Sequence, residues 1–103
     1  MKRASSFDLK FSQDIRDPEF AQSYFTSLVD DPDEPLSVAD ALRLTIKQMG
    51  ITDFANLVGV SPPTIHEFAH SKLSPKPETL DRFLKPFGLK TKISLVTLDK
   101  EVA

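Results

Sequence analysis

The sequence contains no cysteine. That excludes disulfides and thiolate metal sites and leaves no sign of secretion. No apolar run approaches the length that spans a membrane. The opening residues, MKRASSFDLK, carry charge but no apolar stretch, so they do not read as a signal peptide. Internal repeats and low-complexity segments are absent. So are a Gly-rich phosphate loop, a Ser/His/Asp arrangement and a paired-carboxylate site. These absences leave an expectation of a cytoplasmic protein that is not an enzyme, needs no cofactor and has no membrane partner.

What is present fits one domain with a modest core. The chain has 103 residues, 40% hydrophobic and 27% charged, with eight Phe as bulky core candidates. The net charge is only −2, which by itself argues against strong nucleic-acid binding. Its distribution says more. Residues 1–37 carry four bases and eight acids, whereas residues 38–92 carry eight bases and five acids. An acidic N-terminal third precedes a mildly basic remainder, which suggests either two kinds of partner or a solvated acidic linker.

Local patterns divide the chain. FDLKF, residues 7–11, alternates apolar and polar positions and predicts a half-buried strand. Asp17-Pro18 opens a helix as N-cap and first-turn proline. Its wide stripe of Phe20, Ala21, Tyr24, Phe25, Leu28 and Val29 implies burial against more than one neighbour. DDPDEP, residues 30–35, ends it as a short linker. Ser37 and Asp40 resemble a capping box, and Val38, Leu42, Ile46 and Met49 share one face before Gly50. Thr52 is the expected cap of the next helix, which stops at Gly59. Ser61 caps another, with Pro62 and Pro63 in its first turn, where an amide has no intrahelical partner. A last helix gathers Leu80, Phe83, Leu84 and Phe87, limited by Pro86 and closed by Gly88. TKISLVTL, residues 91–98, favours a second strand, and the two terminal strands are expected to pair within the chain or across a dimer.

One string raises a sharper question. TIHEFAH contains His66, Glu67 and His70 in the H-E-x-x-H order of zinc peptidases, where two histidines one helical turn apart hold Zn²⁺ and the glutamate activates water. Zinc catalysis also needs a third protein ligand and an open coordination position. No third histidine exists, and the carboxylates of Glu78 or Asp81 are the remaining candidates. The flanking residues favour another use. Ala55 is small where two helices would cross, and Gly59 supplies the positive φ of a tight turn. Val58, Val60, Ile65 and Phe68 then fill the wedge between the helices. Ser61, Pro62, Pro63, Thr64, His66, Glu67 and His70 are left facing outward, the surface that a helix-turn-helix lays in the DNA major groove. There Thr64 would meet a thymine methyl or a phosphate, Glu67 a cytosine amino group, and the histidines base edges or phosphates. Lys72 and Lys76, on the following loop, are candidate phosphate contacts or ordinary solvated lysines.

The stretch HSKLSPKPETLDRFLKPFG resembles the tail of lambda-repressor/Cro-like (XRE-type) domains, and this resemblance covers residues 36–88. A closer resemblance covers roughly residues 14–96. DPEFAQSYFTSLV, LSVADALRLTIKQMG, FANLVGVSPPTIHEFAH, PETLDRFLKPFGLK and ISLV look like the addiction-module antidote family, the HigA-type antitoxins. This resemblance implies a dimeric operator-binding protein that neutralises a small basic RelE/ParE-like toxin. Phe20, Tyr24, Asp30, Asp31, Asp33 and Glu34 are the candidate toxin-binding residues, because acidic neighbours attract a basic partner.

The resulting expectation is a mainly α fold: a lambda-repressor-like helix-turn-helix bundle of about five helices with short terminal β-strands. Residues 1–35 would hold a strand, a helix and the acidic linker. Residues 36–89 would form the DNA-binding part, and residues 90–103 a strand and tail of the same compact domain. The expected function is that of an autorepressor and antitoxin acting as a homodimer on double-stranded operator DNA. The alternatives are a phage-type repressor without a toxin and a zinc hydrolase.

Overall fold

The computed structural model describes residues 9–73 and 75–92. Among these the chain forms six α-helices and no strand: α1 (Leu9–Asp14), α2 (Pro18–Val29), α3 (Val38–Met49), α4 (Ile51–Val58), α5 (Pro62–His70) and α6 (Pro77–Leu84), followed by a 3₁₀ turn over Lys85–Phe87. The mainly helical expectation holds, with one helix more than expected.

The extra helix replaces part of the expected N-terminal strand. Residues 9–11 begin α1; Phe7 and Asp8 lie outside the described residues. Over five residues, alternation and helical spacing share many positions. What decides is downstream. Phe11 and Ile15 sit four apart, both buried, and Phe11 meets Tyr24 edge-on at 5.0 Å. Lys10 and Asp14 form an exposed pair at the same spacing, 2.9 Å apart. Of the expected C-terminal strand, Thr91 and Lys92 are not in a strand, and residues 93–98 lie outside the described residues.

The helix starts follow the chemistry of their caps. The Asp17 carboxylate accepts from the Glu19 amide at 3.2 Å, and Pro18 follows at the first helical position. The Ser37 hydroxyl accepts from the Asp40 amide at 3.1 Å. Thr52 does not cap α4. The helix begins one residue earlier, at Ile51, and Gly50 occupies the cap position with φ 95°. Gly50 also ends α3, so a single residue turns the chain between two helices and leaves no room for a separate cap.

Residues 30–37 are more than a linker. The Asp31 carboxylate accepts from the amides of Asp33 at 2.8 Å and Glu34 at 3.0 Å. The Leu36 amide then donates back to the Leu28 carbonyl at 3.0 Å. These bonds build a local turn of the kind aspartate favours, and they hold the Asp31 carboxyl below the usual carboxylate range.

Helix α3 is the centre of the bundle and touches each of α1, α2, α4, α5 and α6. Its composition permits this. Ala39, Ala41, Leu42, Thr45, Ile46 and Met49 are all buried, which is a broader apolar surface than one stripe. Thr45 satisfies its hydroxyl by donating to the Ala41 carbonyl at 2.8 Å. Around α3 the core is largely aromatic. Phe54 meets Phe83 at 6.0 Å and Phe87 at 6.2 Å, and Phe25 meets Phe87 at 5.2 Å.

Candidate nucleic-acid interface

Helices α4 and α5 are joined by Gly59, Val60 and Ser61. Gly59 adopts φ 73°, in the left-handed region, and its amide donates to the Ala55 carbonyl at 2.9 Å. The Val60 amide donates to the same carbonyl at 3.1 Å. Ala55 is buried where α4 meets its neighbours. Within α5 only Ile65 and Phe68 are buried. They seat the helix against α3 and α4. Val58 and Val60 are half-buried beside the core.

This seating sends the other side chains outward. Ser61, Pro62, Pro63, Thr64, His66, Glu67 and His70 are all exposed, as are Lys72 and Lys76 beyond the helix. Ser61 holds the N-cap position, but its hydroxyl pairs with the Thr64 hydroxyl at 2.9 Å and makes no bond to an amide. The two prolines explain why. Pro62 and Pro63 have no N–H, so the first amide the helix start can offer is that of Thr64. That amide bonds the Ser61 carbonyl at 3.1 Å. The start of α5 therefore offers hydroxyls and apolar rings rather than the amide cluster that usually receives phosphate. At the other end, the rings of His66 and His70 lie 4.2 Å apart, centroid to centroid. His70 Nδ1 contacts the His66 carbonyl at 2.9 Å.

A residue that sequence patterns did not single out fixes this helix. Arg43, on α3, donates from Nε to the Phe68 carbonyl at 3.1 Å and from Nη2 to the Leu73 carbonyl at 2.8 Å. Its guanidinium also stands 4.7 Å from the centre of the Phe68 ring. Phe68 O is one of the last carbonyls of α5, where a cation is favoured. Arg43 therefore ties the end of α5, and the loop towards Lys72, to the central helix. Its short-range partner, Asp40 at 3.0 Å, was the one sequence-visible part of this arrangement.

The residues suggested for a second partner are less united. Phe20 is exposed and stacks on Tyr24 at 6.4 Å. Tyr24 is half-buried, and among the described residues its buried hydroxyl makes no well-formed hydrogen bond. Burial raises its pKa, and the nearby Thr45 hydroxyl opposes this in part. Asp30, Asp33 and Glu34 are exposed, and Asp31 is half-buried in its turn. Phe20 and the acidic turn flank opposite halves of α2, about 15 Å apart along the helix axis at the usual rise per residue.

Among the described residues, no group of three or more His, Cys, Asp or Glu side chains converges as a metal site. Neither Glu78 nor Asp81, the remaining candidates, joins His66 and His70 as the third ligand that zinc catalysis would need. Among the described residues, no helix is long and apolar enough to cross a membrane. In comparisons with known proteins, no family model, no curated protein and no solved structure matches the chain.

Proposed function

We propose that the protein is a sequence-specific DNA-binding repressor that acts as a homodimer on its own operator and also serves as the antitoxin of a small basic RelE/ParE-like toxin. On this reading α4 and α5 form a helix-turn-helix of lambda-repressor/Cro-like type, with α5 as the recognition helix. One observation carries it. Ile65 and Phe68 anchor α5 inward, so Thr64, His66, Glu67 and His70 share the face left open. That face presents donors, acceptors and a methyl group, which is what major-groove edges require. The Lys72 and Lys76 side chains supply phosphate contacts that set register. A dimer would place two such helices about 34 Å apart, one turn of the duplex.

The antitoxin part rests on the resemblance to HigA-type antidotes and on the exposed acids Asp30, Asp33 and Glu34. Asp31 on this reading shapes the turn that displays them.

Fluorescence anisotropy with the DNA upstream of the gene, across a salt series, tests the first part. Binding is expected to weaken steeply with salt, and Lys72→Ala to lower the slope of log K against log salt by about 1. Binding that is absent or indifferent to salt would refute DNA recognition. Co-expression with the adjacent gene tests the second part. Capture of a small basic partner, lost in an Asp30/Asp33/Glu34 triple Asn/Gln variant, is expected. A neighbourhood without such a gene would refute it.

A further inference from the structure

We infer that His70 couples operator binding to proton uptake: its ring can donate to a backbone phosphate only as the charged imidazolium, so the complex tightens as pH falls. The linkage rests on the DNA-binding function proposed above, and it gives that same face a means of regulation.

The chemistry begins with one hydrogen bond. His70 Nδ1 lies 2.9 Å from the carbonyl oxygen of His66. A carbonyl can only accept, so Nδ1 is the donor and carries the proton of the neutral ring. Nε2 is then left with a lone pair. A phosphate oxygen also only accepts, and a lone pair turned towards it is repelled. Protonation of Nε2, with the proton taken from solvent, converts this edge of the ring from acceptor to donor and adds a positive charge. The His66 ring differs, because among the described residues neither of its nitrogens makes a hydrogen bond. Its neutral form can carry the proton on either nitrogen and donate without being charged.

The position of His70 favours a phosphate over a base edge. It is the last residue of α5 and exposed, and the exposed Lys72 follows two residues on. The ring is also held in place. Besides its bond to the His66 carbonyl, it stacks on the His66 ring with centroids 4.2 Å apart and planes inclined by 31°. Stacked in this way, the two rings do not converge their nitrogens on one metal.

The charged neighbours of His70 come from three helices and a loop. His66 and Glu67 share the open face of its own helix, and Lys72 follows it. Arg43 and Lys47 of α3 and Asp53 of α4 line the same groove as His70. Arg43 is held by the Phe68 and Leu73 carbonyls and by Asp40. Asp53 accepts from the Ser12 hydroxyl at 3.2 Å. Of these residue types only histidine ordinarily changes charge between about pH 6 and about pH 8. A pH dependence of the face in that window therefore belongs to the histidine pair, and the hydrogen bond at Nδ1 assigns it to His70.

The test is operator binding by fluorescence anisotropy at fixed ionic strength, with the full chain and the DNA upstream of its gene. Affinity is expected to rise by about tenfold as pH falls from about 8 to about 6. The slope of log K against pH counts the protons taken up, which should approach about one per protomer. His70→Gln keeps an uncharged side-chain donor, so it should still bind and should flatten the profile. His66→Gln keeps the backbone carbonyl, so it should retain most of the profile. Nitrogen NMR of the free protein at about pH 8 reads the ring directly and should show the proton of His70 on Nδ1. Salt-dependent operator binding that is flat in pH overturns the linkage and leaves the functional reading standing. A profile that survives His70→Gln, or a neutral His70 ring with its proton on Nε2, also overturns the linkage. Operator binding that is absent at every pH overturns the functional reading, and the linkage with it.

Discussion

Replacing Arg43 with alanine removes four contacts at once. The hydrogen bond to the Phe68 carbonyl is partly buried and made by a charged donor, of a kind worth about 1.5–3 kcal/mol. The bond to the Leu73 carbonyl is exposed and contributes less. Stacking on the Phe68 ring adds about 0.5–1 kcal/mol. The Asp40 pair counts for little, because that carboxylate is 58% exposed and screened by water. Allowing for non-additivity within one side chain, Arg43→Ala should cost about 2–3 kcal/mol. For a domain of this size that lowers Tm by roughly 10–15 °C. Arg43→Lys keeps the charge but not the planar fork, and one ammonium cannot reach both carbonyls while stacking on the ring. It should recover less than half of the loss. Thermal unfolding followed by circular dichroism gives both numbers. Hydrogen exchange adds the location, since the last turn of α5 should lose protection more than the amides of α2. A change in Tm under about 3 °C for Arg43→Ala, or full rescue by lysine, would refute the idea that this fork holds the end of α5.

Other outcomes follow from single contacts. Asp81 accepts from both the amide and the hydroxyl of Thr91, at 2.6 and 2.8 Å, and its carboxyl lies below the usual range chiefly because of the Thr91 amide bond. A depressed folded pKa contributes stability above the unfolded value of about 4, and that stability is lost as pH falls through the folded value. Acid titration of stability should therefore be shallower in Asp81→Asn than in the parent, and identical curves would sink this account. Gly59→Ala meets no atom within 4 Å, so its cost is the left-handed backbone alone, about 1 kcal/mol by urea denaturation. A loss of more than about 3 kcal/mol would mean that something other than backbone strain operates there. Tyr24→Phe deletes a buried hydroxyl that makes no well-formed hydrogen bond among the described residues and should be neutral or stabilising by up to about 1 kcal/mol in the same assay. Ile65 is fully buried, so Ile65→Ala should cost about 2–5 kcal/mol, whereas Glu67→Gln on the open face should stay within about 0.5 kcal/mol.

The helices from Pro18 to Phe87 were readable because their signals are local. Asp17-Pro18, Ser37 with Asp40, and Gly59 and Gly88 each act within a few residues of themselves. The division of α5 into Ile65 and Phe68 inside and His66, Glu67 and His70 outside was readable for the same reason, since helical period alone fixes it. The start of α1 was not. FDLKF fits a strand until Phe11 is paired with Ile15 and with Tyr24, and the second of those contacts crosses a turn. The turn of Asp31 was hidden differently. Four acids in a row of six residues suggested repulsion, but a carboxylate that accepts two amides is a structural element regardless of its neighbours' charge. Apart from its i,i+3 pair with Asp40, the role of Arg43 was beyond reach. Its partners Phe68 and Leu73 are 25 and 30 residues away, and both receive it through backbone carbonyls, which every residue has.

Helix α3 meets all five other helices, and this has a consequence for how the protein comes apart. A bundle whose elements pack only on their sequence neighbours can shed its ends one at a time. Here the first helix and the last both rest on the same central rod. Amide protons of α3 should therefore exchange only through complete unfolding, and α1 and α6 should share much of that protection despite lying near the two ends of the described chain. The molecule should melt in one step, with no half-folded species in which the α5 face is displayed without the acidic turn that precedes it.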